Sequence, residues 1–463
     1  MISLSSRLAL SRLTTNRTGL DALAVLAFAI TSWLALTVAG GTSMFISRAE
    51  NPPQPFIEAH QASEMPNSAT AMAQMYPALA AIACAILVIP ILTLGGAAAR
   101  LGASGRARRL AALRLIGMTG GEVILMSVIE TLVLAAIGVV VGAVLWLVSL
   151  PAWSAIAFLG EAIHPAEMLM PAWVAASVVA VILLLAALST VIGLQRVRIS
   201  PLGVARRETT AALKWWRLAA FVVAGAVFYI VARGFELMTA ALVGFLVMGG
   251  FIALLVLGIN LVGPLVIQLV ARPFARTKSP SRLLAMRRLI SDPKGAWRNV
   301  SAVALLGVVA AFTLAMPQDM ADAEPLLALQ FGDVRTGAMI TLAIGLVLAA
   351  ASTLINQASA TVDRAEQTIA LTRMGTPRSV FARARVSQVM LPLVTTLLVS
   401  IPVGLLMSMP FMTPAAEVVN STAAGIATVG GVILAGVALS LLAAWACGPI
   451  EDRILRADYR PND

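Results

Sequence analysis

Residues 123–149 read VILMSVIETLVLAAIGVVVGAVLWLVS, an apolar run holding one ionisable side chain, Glu130. A helix needs about 20 apolar residues to cross a hydrocarbon core of roughly 30 Å, so this run predicts a transmembrane helix. Nine further stretches share its character, near 22–46, 77–99, 171–194, 217–233, 238–271, 300–317, 336–356, 386–409 and 422–447. Composition agrees with that count. Across 463 residues, 59% are hydrophobic and only 12% charged, and the mean hydropathy is +0.92. A soluble domain carries about 25% charged residues to coat its surface. A chain so short of charge must present most of its surface to lipid. The expected fold is therefore an all-α integral membrane protein of about ten transmembrane helices.

The formal net charge of +11 would suit a nucleic-acid binder if it were spread over one surface, but its placement excludes that class. All 33 lysines and arginines except Arg48, Arg233 and Arg335 fall in 1–21, 100–122, 195–217, 272–299, 357–385 and 448–463. These are alternate loops, and positive loops stay cytoplasmic. The acids Glu50, Glu58, Glu64, Glu161, Glu167, Glu236, Asp319, Asp322, Glu324, Asp333 and Glu417 lie in the other set. Both termini are thus expected inside a cell membrane. The first span has a basic start at Arg7, Arg12 and Arg17, but its apolar run is longer than a cleaved signal requires, so it is expected to be retained. Cys84 and Cys447 lie in or beside apolar runs, and His60 and His164 are far apart, which suggests neither a disulfide framework nor a metal site.

The chain repeats itself. Leu8-Ala-Leu-Ser-Arg-Leu13 matches Leu284-Ala-Met-Arg-Arg-Leu289, each just before a span. Ala112-Leu-Arg-Leu-Ile-Gly117 matches Ala370-Leu-Thr-Arg-Met-Gly375, each after the second span of its half. Two four-span modules, 1–199 and 281–463, are expected, joined by a two-span hairpin in 200–280. Two intervening spans return the chain to its starting side, which makes the modules parallel repeats.

The segments 106–122 and 364–378 read as matched elbows. Leu110, Leu113 and Gly117 share one helical face, while Arg106 and Arg109 line another. Gly117 and Gly375 suit left-handed helix stops. Thr119 and Glu122 have capping-box spacing for the third span, and Thr376-Pro377 supplies an N-cap followed by proline. Such helices can lie in the headgroup layer or dock a cytoplasmic partner, and duplication at equivalent places favours docking.

The run Arg108-Arg-Leu-Ala-Ala-Leu-Arg-Leu-Ile-Gly-Met-Thr119 resembles the signature after the second span of FtsX/MacB-type ABC transporter permeases, and Ala370 to Pro377 resembles a second copy. The ten-span, two-module layout is similar to the larger members, including the antimicrobial-peptide resistance permeases. The resemblance implies a bacterial, multi-pass plasma-membrane protein whose elbows contact a separate ABC ATPase subunit, a dimer. The residues implied in coupling are Arg109, Leu110, Leu113, Arg114, Gly117 and Thr119, with Leu371, Arg373, Gly375 and Pro377. ATP and Mg would be bound by the partner; no cofactor is expected in this chain. Where the family often has a glutamate before the alanine–leucine pair, this chain has Arg109 and Gln367. The outer stretches 47–76 and 318–335 are too short for the large extracytoplasmic domains of relatives.

No G-x-x-x-x-G-K-[ST] loop occurs, nor a nucleophile elbow or zinc-binding helix, so a non-catalytic subunit is expected. Glu130 and its counterpart Gln388 are the intramembrane polar candidates, expected to bond neighbouring helices or reach a wet cytoplasmic vestibule, with a coupling role for Glu130 as the alternative. Asn260 and Gln268 lie in the sixth span, and Met316, Met407 and Met409 near outer ends read as adaptable packing. Segment 153–169 reads as a solvated loop or a short surface helix whose Glu161 and Glu167 could attract cations. The resulting expectation is a permease exporting or extracting a lipophilic molecule or peptide, with membrane lipids and an extracytoplasmic protein or peptide ligand as further partners, and no nucleic acid. The alternatives are an FtsX-like regulator of a cell-wall enzyme or sensor, and an ion-coupled secondary transporter.

Overall fold

The computed structural model describes residues 19–63, 69–101, 119–199, 215–234, 241–315, 324–408, 423–449 and 452. Of these, about 90% are helical. The long helices, in chain order, are α1 (Gly19–Glu50), α4 (Met75–Arg100), α5 (Gly120–Ser149), α6 (Ala172–Ile199), α7 (Trp216–Gly234), α8 (Ala241–Phe274), α10 (Pro293–Ala315), α11 (Pro325–Asp363), α13 (Arg378–Ser408) and α14 (Ala423–Ala446). Between them lie short helices α2 (Gln54–Gln61), α3 (Ala69–Ala73), α9 (Pro280–Ser291) and α12 (Ala365–Arg373). A small antiparallel hairpin pairs β1 (Ala157–Phe158) with β2 (Glu161–Ala162).

Among the described residues, eight helices are long and apolar enough to cross a membrane. Shorter apolar stretches, Leu218–Val227 and Gly430–Ala446, lie within α7 and α14. The architecture is that of a helical, multi-pass membrane protein. Its outward faces are apolar: Val140, Val144 and Val148 form an exposed stripe on α5, as do Leu184, Leu188 and Ile192 on α6. Stripes at four-residue spacing suit contact with lipid.

Local chemistry explains where the helices begin. The Thr119 backbone N–H donates to Glu122 Oε2 at 2.9 Å while Glu122 N–H donates to Thr119 Oγ1 at 3.4 Å, the reciprocal cap that starts α5. The Gly295 N–H donates to Asp292 Oδ1 at 2.9 Å over the first turn of α10, satisfying a donor that a helix start leaves open.

Two sets of four helices share one contact pattern. In the set α1, α4, α5 and α6, the first helix touches the other three, and the second and third each touch the fourth. The set α10, α11, α13 and α14 repeats it. The sets meet where α4 packs on α11, with α11 also reaching α1 and α10 reaching α4. Helix α8 wedges against α4, α10 and α13, pinned by the Trp297 indole N–H donating to Asn260 Oδ1 at 3.0 Å.

Within each set the first and third helices approach so closely that a methyl group would not fit. A Cβ on Gly138 or Gly142 of α5 would strike Phe28 or Ser32 of α1. A Cβ on Gly307 of α10 would strike Ser400 of α13, and one on Gly404 would strike the Val308 carbonyl. Without a hydrophobic drive between helices in lipid, such small-residue contact supplies the van der Waals attraction that holds them together.

Candidate functional site

Three places carry unusual chemistry: an elbow, a basic cavity beside it, and a cap at the opposite end of the bundle.

The elbow is α12. Helix α11 breaks at Arg364 (φ −103°, ψ 11°), and α12 follows at once. It ends in a Schellman motif: Gly375 (φ +88°) donates its N–H to the Thr372 carbonyl at 2.9 Å, and Thr376 N–H donates to the Leu371 carbonyl at 3.0 Å. Helix α13 begins directly after Pro377. Thr368 is buried on the inner face and Leu371 is half-buried, while Arg373, Gly375 and Pro377 are exposed. At the tip Met374 is 73% exposed. The sequence reading passed over Met374, because nothing in a helical pattern says which residue the Schellman turn will push outward. Of the first elbow, Thr119 caps α5 as described; Arg109, Leu110, Leu113, Arg114 and Gly117 lie outside the described residues.

Beside the elbow, a cavity of about 470 Å³ opens between the two helix sets. Arg100 of α4, Arg288 of α9, Arg298 of α10 and Arg364 line it, with Asp292, Asp363 and Gln388. Arg364 Nη1 donates to Gln388 Oε1 at 3.3 Å. Burial, reinforced by the nearby Arg364 and Arg385 charges, pulls the Arg288 guanidinium down to about 10. Burial lowers Arg364 as well, opposed by Asp292 and Asp363. Gln388 therefore faces a polar cavity and is fixed by an arginine, while Glu130 is half-buried on α5 and does not line that cavity.

At the far end, segment 153–169 is neither a surface helix nor a solvated loop. It folds as a 3-10 turn (Leu150–Ala155), the hairpin, and a second 3-10 turn (Pro165–Met168). Leu159 (φ +54°) and Gly160 (φ +78°) form its tip, both left-handed as a two-residue hairpin with matching twist requires. Phe158, Leu159, Ile163 and Met168 are buried with Phe56, Tyr76 and Leu326 in a compact core of their own. Short apolar runs without helical period hid this core from sequence reading.

Arg48, only 4% exposed, holds the cap in place. Its Nε donates to Glu167 Oε2 at 2.8 Å, Nη1 to the Phe158 and Glu161 carbonyls at 2.7 and 3.0 Å, and Nη2 to the Ala162 carbonyl at 2.8 Å. Glu167 is thus neutralised rather than free to attract cations. Asp333 belongs to the same assembly: its Oδ2 accepts from Tyr76 Oη at 2.6 Å and from Leu159 N–H at 2.9 Å. Hydropathy alone places Asp333 in an outer loop, but α11 begins at Pro325 and carries it into the bundle.

Under the cap, an apolar crevice of about 110 Å³ separates α1 and α4 from α11, with Phe45, Cys84, Met168 and Ile344 on its walls. Met407 is buried packing in α13, while Met316 and Met409 lie outside the described residues. Among the described residues no group of histidine, cysteine and acidic side chains could hold a metal ion. The chain matches no protein-family model and no curated protein.

Proposed function

We propose that this chain is the membrane-spanning subunit of an ABC transporter of the FtsX/MacB type, with ten spans, both termini in the cytoplasm, and two parallel modules joined by the α7–α8 hairpin. A separate ATPase dimer would grip the elbows at 106–122 and 364–378. ATP-driven closure of that dimer would push the elbows and shift the second and third spans of each module.

The observation that carries this reading is the build of α12. It is a short helix hinged to a long apolar helix at Arg364, locked at its far end by a left-handed glycine, and followed without slack by another long apolar helix. A force on Met374 would pass into α11 and α13 together. The basic residues clustered at this end of the bundle fit a cytoplasmic location, in the plasma membrane of a bacterium. The apolar crevice between the modules, about 110 Å³, has room for only a short apolar portion of a lipophilic molecule or peptide cargo.

The test is co-purification of the full chain from its native membrane with an ATP-hydrolysing partner. Replacing Met374 and Leu371 by aspartate should cut the retained ATPase about tenfold or more while leaving the chain folded. An unchanged ratio of ATPase to chain would remove the docking assignment. A bound ATPase that hydrolyses ATP without moving any lipophilic cargo would instead favour a transmembrane regulator.

A further inference from the structure

The basic cavity has no part in that coupling scheme, and its chemistry is unbalanced. Four guanidiniums, from Arg100, Arg288, Arg298 and Arg364, face two carboxylates. Both carboxylates are already engaged, Asp292 by the Gly295 N–H and Asp363 by the Ser359 hydroxyl at 3.4 Å. Among the described residues, none of the four arginines lies within salt-bridge distance of a carboxylate, although Asp292 and Asp363 support the charge on Arg364 from further off. Arg288 Nη2 and Gln388 Nε2 are buried donors without a partner. Donors left unmade in this way are costly, and like charges gathered in a cleft add repulsion. An anion held there would relieve both.

The cavity also has an apolar side door. Ile192 lines it and is 63% exposed, and Leu188 and Leu184 continue the same face of α6 away from it at four-residue spacing. A ligand that pairs an anionic head with an apolar tail would fit both parts.

We propose that this cavity binds the phosphate headgroup of an anionic phospholipid, with its acyl chains lying along Leu184, Leu188 and Ile192 of α6. Arginine forks match phosphate oxygens in a bidentate geometry. The cavity volume falls within the roughly 300–1,000 Å³ of small-ligand sites. Because the lining comes from α4, α6, α9, α10, α11 and α13, such a lipid would bridge the two helix sets beside the elbow. This inference rests on the membrane character of the chain and not on the identity of its ATPase partner.

The full chain, delipidated in neutral detergent, would be titrated with phosphatidylglycerol, with phosphatidylcholine and with inorganic phosphate, and bound lipid counted by native mass spectrometry alongside thermal unfolding. Phosphatidylglycerol should be retained at least about tenfold more tightly than phosphatidylcholine. Arg288→Gln and Arg364→Gln should each weaken that retention about tenfold, the scale of losing a charge-assisted hydrogen bond. Without lipid, Arg288→Gln should unfold no earlier than the native chain, since it removes an unpaired charge; a purely structural arginine would give the opposite. Should Arg288→Gln fail to fold, the exposed Arg298→Gln carries the test with the same expected direction. Equal retention of both lipids, or a preference that survives the Arg288→Gln/Arg364→Gln pair, overturns the proposal. Stabilisation by millimolar inorganic phosphate matching that by phosphatidylglycerol would identify a free-anion site and overturn the lipid assignment.

Discussion

The backbone N–H of Leu159 donates to the Oδ2 of Asp333 at 2.9 Å, across 174 residues of sequence. This bond seats the hairpin of the first helix set on α11 of the second. Leu159 is fully buried and carries a positive φ, a conformation that strains a branched side chain. Tyr76 shares the same carboxylate oxygen, so one acid ties α4, the hairpin and α11 together.

Replacing Asp333 by alanine leaves the Leu159 N–H and Tyr76 hydroxyl unpaired inside the cap. Each unmet buried donor costs about 1–3 kcal/mol, so thermal unfolding in detergent should shift clearly downward. Tyr76→Phe removes the donor together with its bond and should cost only about 1 kcal/mol. A double-mutant cycle should return a coupling of about 0.5–3 kcal/mol between the two; a value near zero would contradict the shared carboxylate.

Arg48→Ala should cost about 3 kcal/mol, because it strips three backbone carbonyls of their donor and leaves Glu167 without its cation. Lysine should restore only part of the loss, since a point charge cannot serve the carbonyls and the carboxylate at once. Limited proteolysis between 153 and 169 reads the outcome directly, with faster cleavage expected in both variants.

Gly138→Ala and Gly404→Ala test the close approach of first and third helices. Each adds a methyl group where a neighbouring helix already sits, and overpacking of this kind costs about 1–3 kcal/mol. Gly430 and Gly431 of α14 have open space around a would-be Cβ, so alanine there should be neutral or slightly stabilising. Unfolding temperatures of the four variants should separate into these two groups.

Gly375→Ala addresses the elbow. The added Cβ meets no atom within 4 Å, so its effect comes only from the left-handed backbone, about 1–2 kcal/mol. Global stability should fall modestly, while hydrogen exchange at Gly375 and Thr376 should accelerate more than in the long helices.

The apolar runs were legible because lipid demands length and hydropathy, and each corresponds to a helix. However, α10, α11 and α13 begin well before the expected 300, 336 and 386, at Pro293, Pro325 and Arg378, where the added turns are more polar. The Thr119–Glu122 cap and the Gly375 stop were legible because helix ends expose backbone groups that few residue types satisfy. The cap at the far end was not. Arg48, Leu159 and Asp333 act through long-range pairing, and Asp333 sits in early turns of α11 that are too polar for a hydropathy window. The arginine cavity escaped for a similar reason: its four guanidiniums come from three positive segments, 100–122, 272–299 and 357–385, each of which reads alone as ordinary positive loop charge.

The elbow's partner is the central claim, and a photo-crosslinker placed at Met374 in the native membrane tests it most directly. The account predicts a covalent adduct with a nucleotide-binding ATPase, and no such adduct from the outward-facing Leu398 of α13. Adducts formed only with lipid at Met374, or equally with the ATPase at both positions, would contradict it.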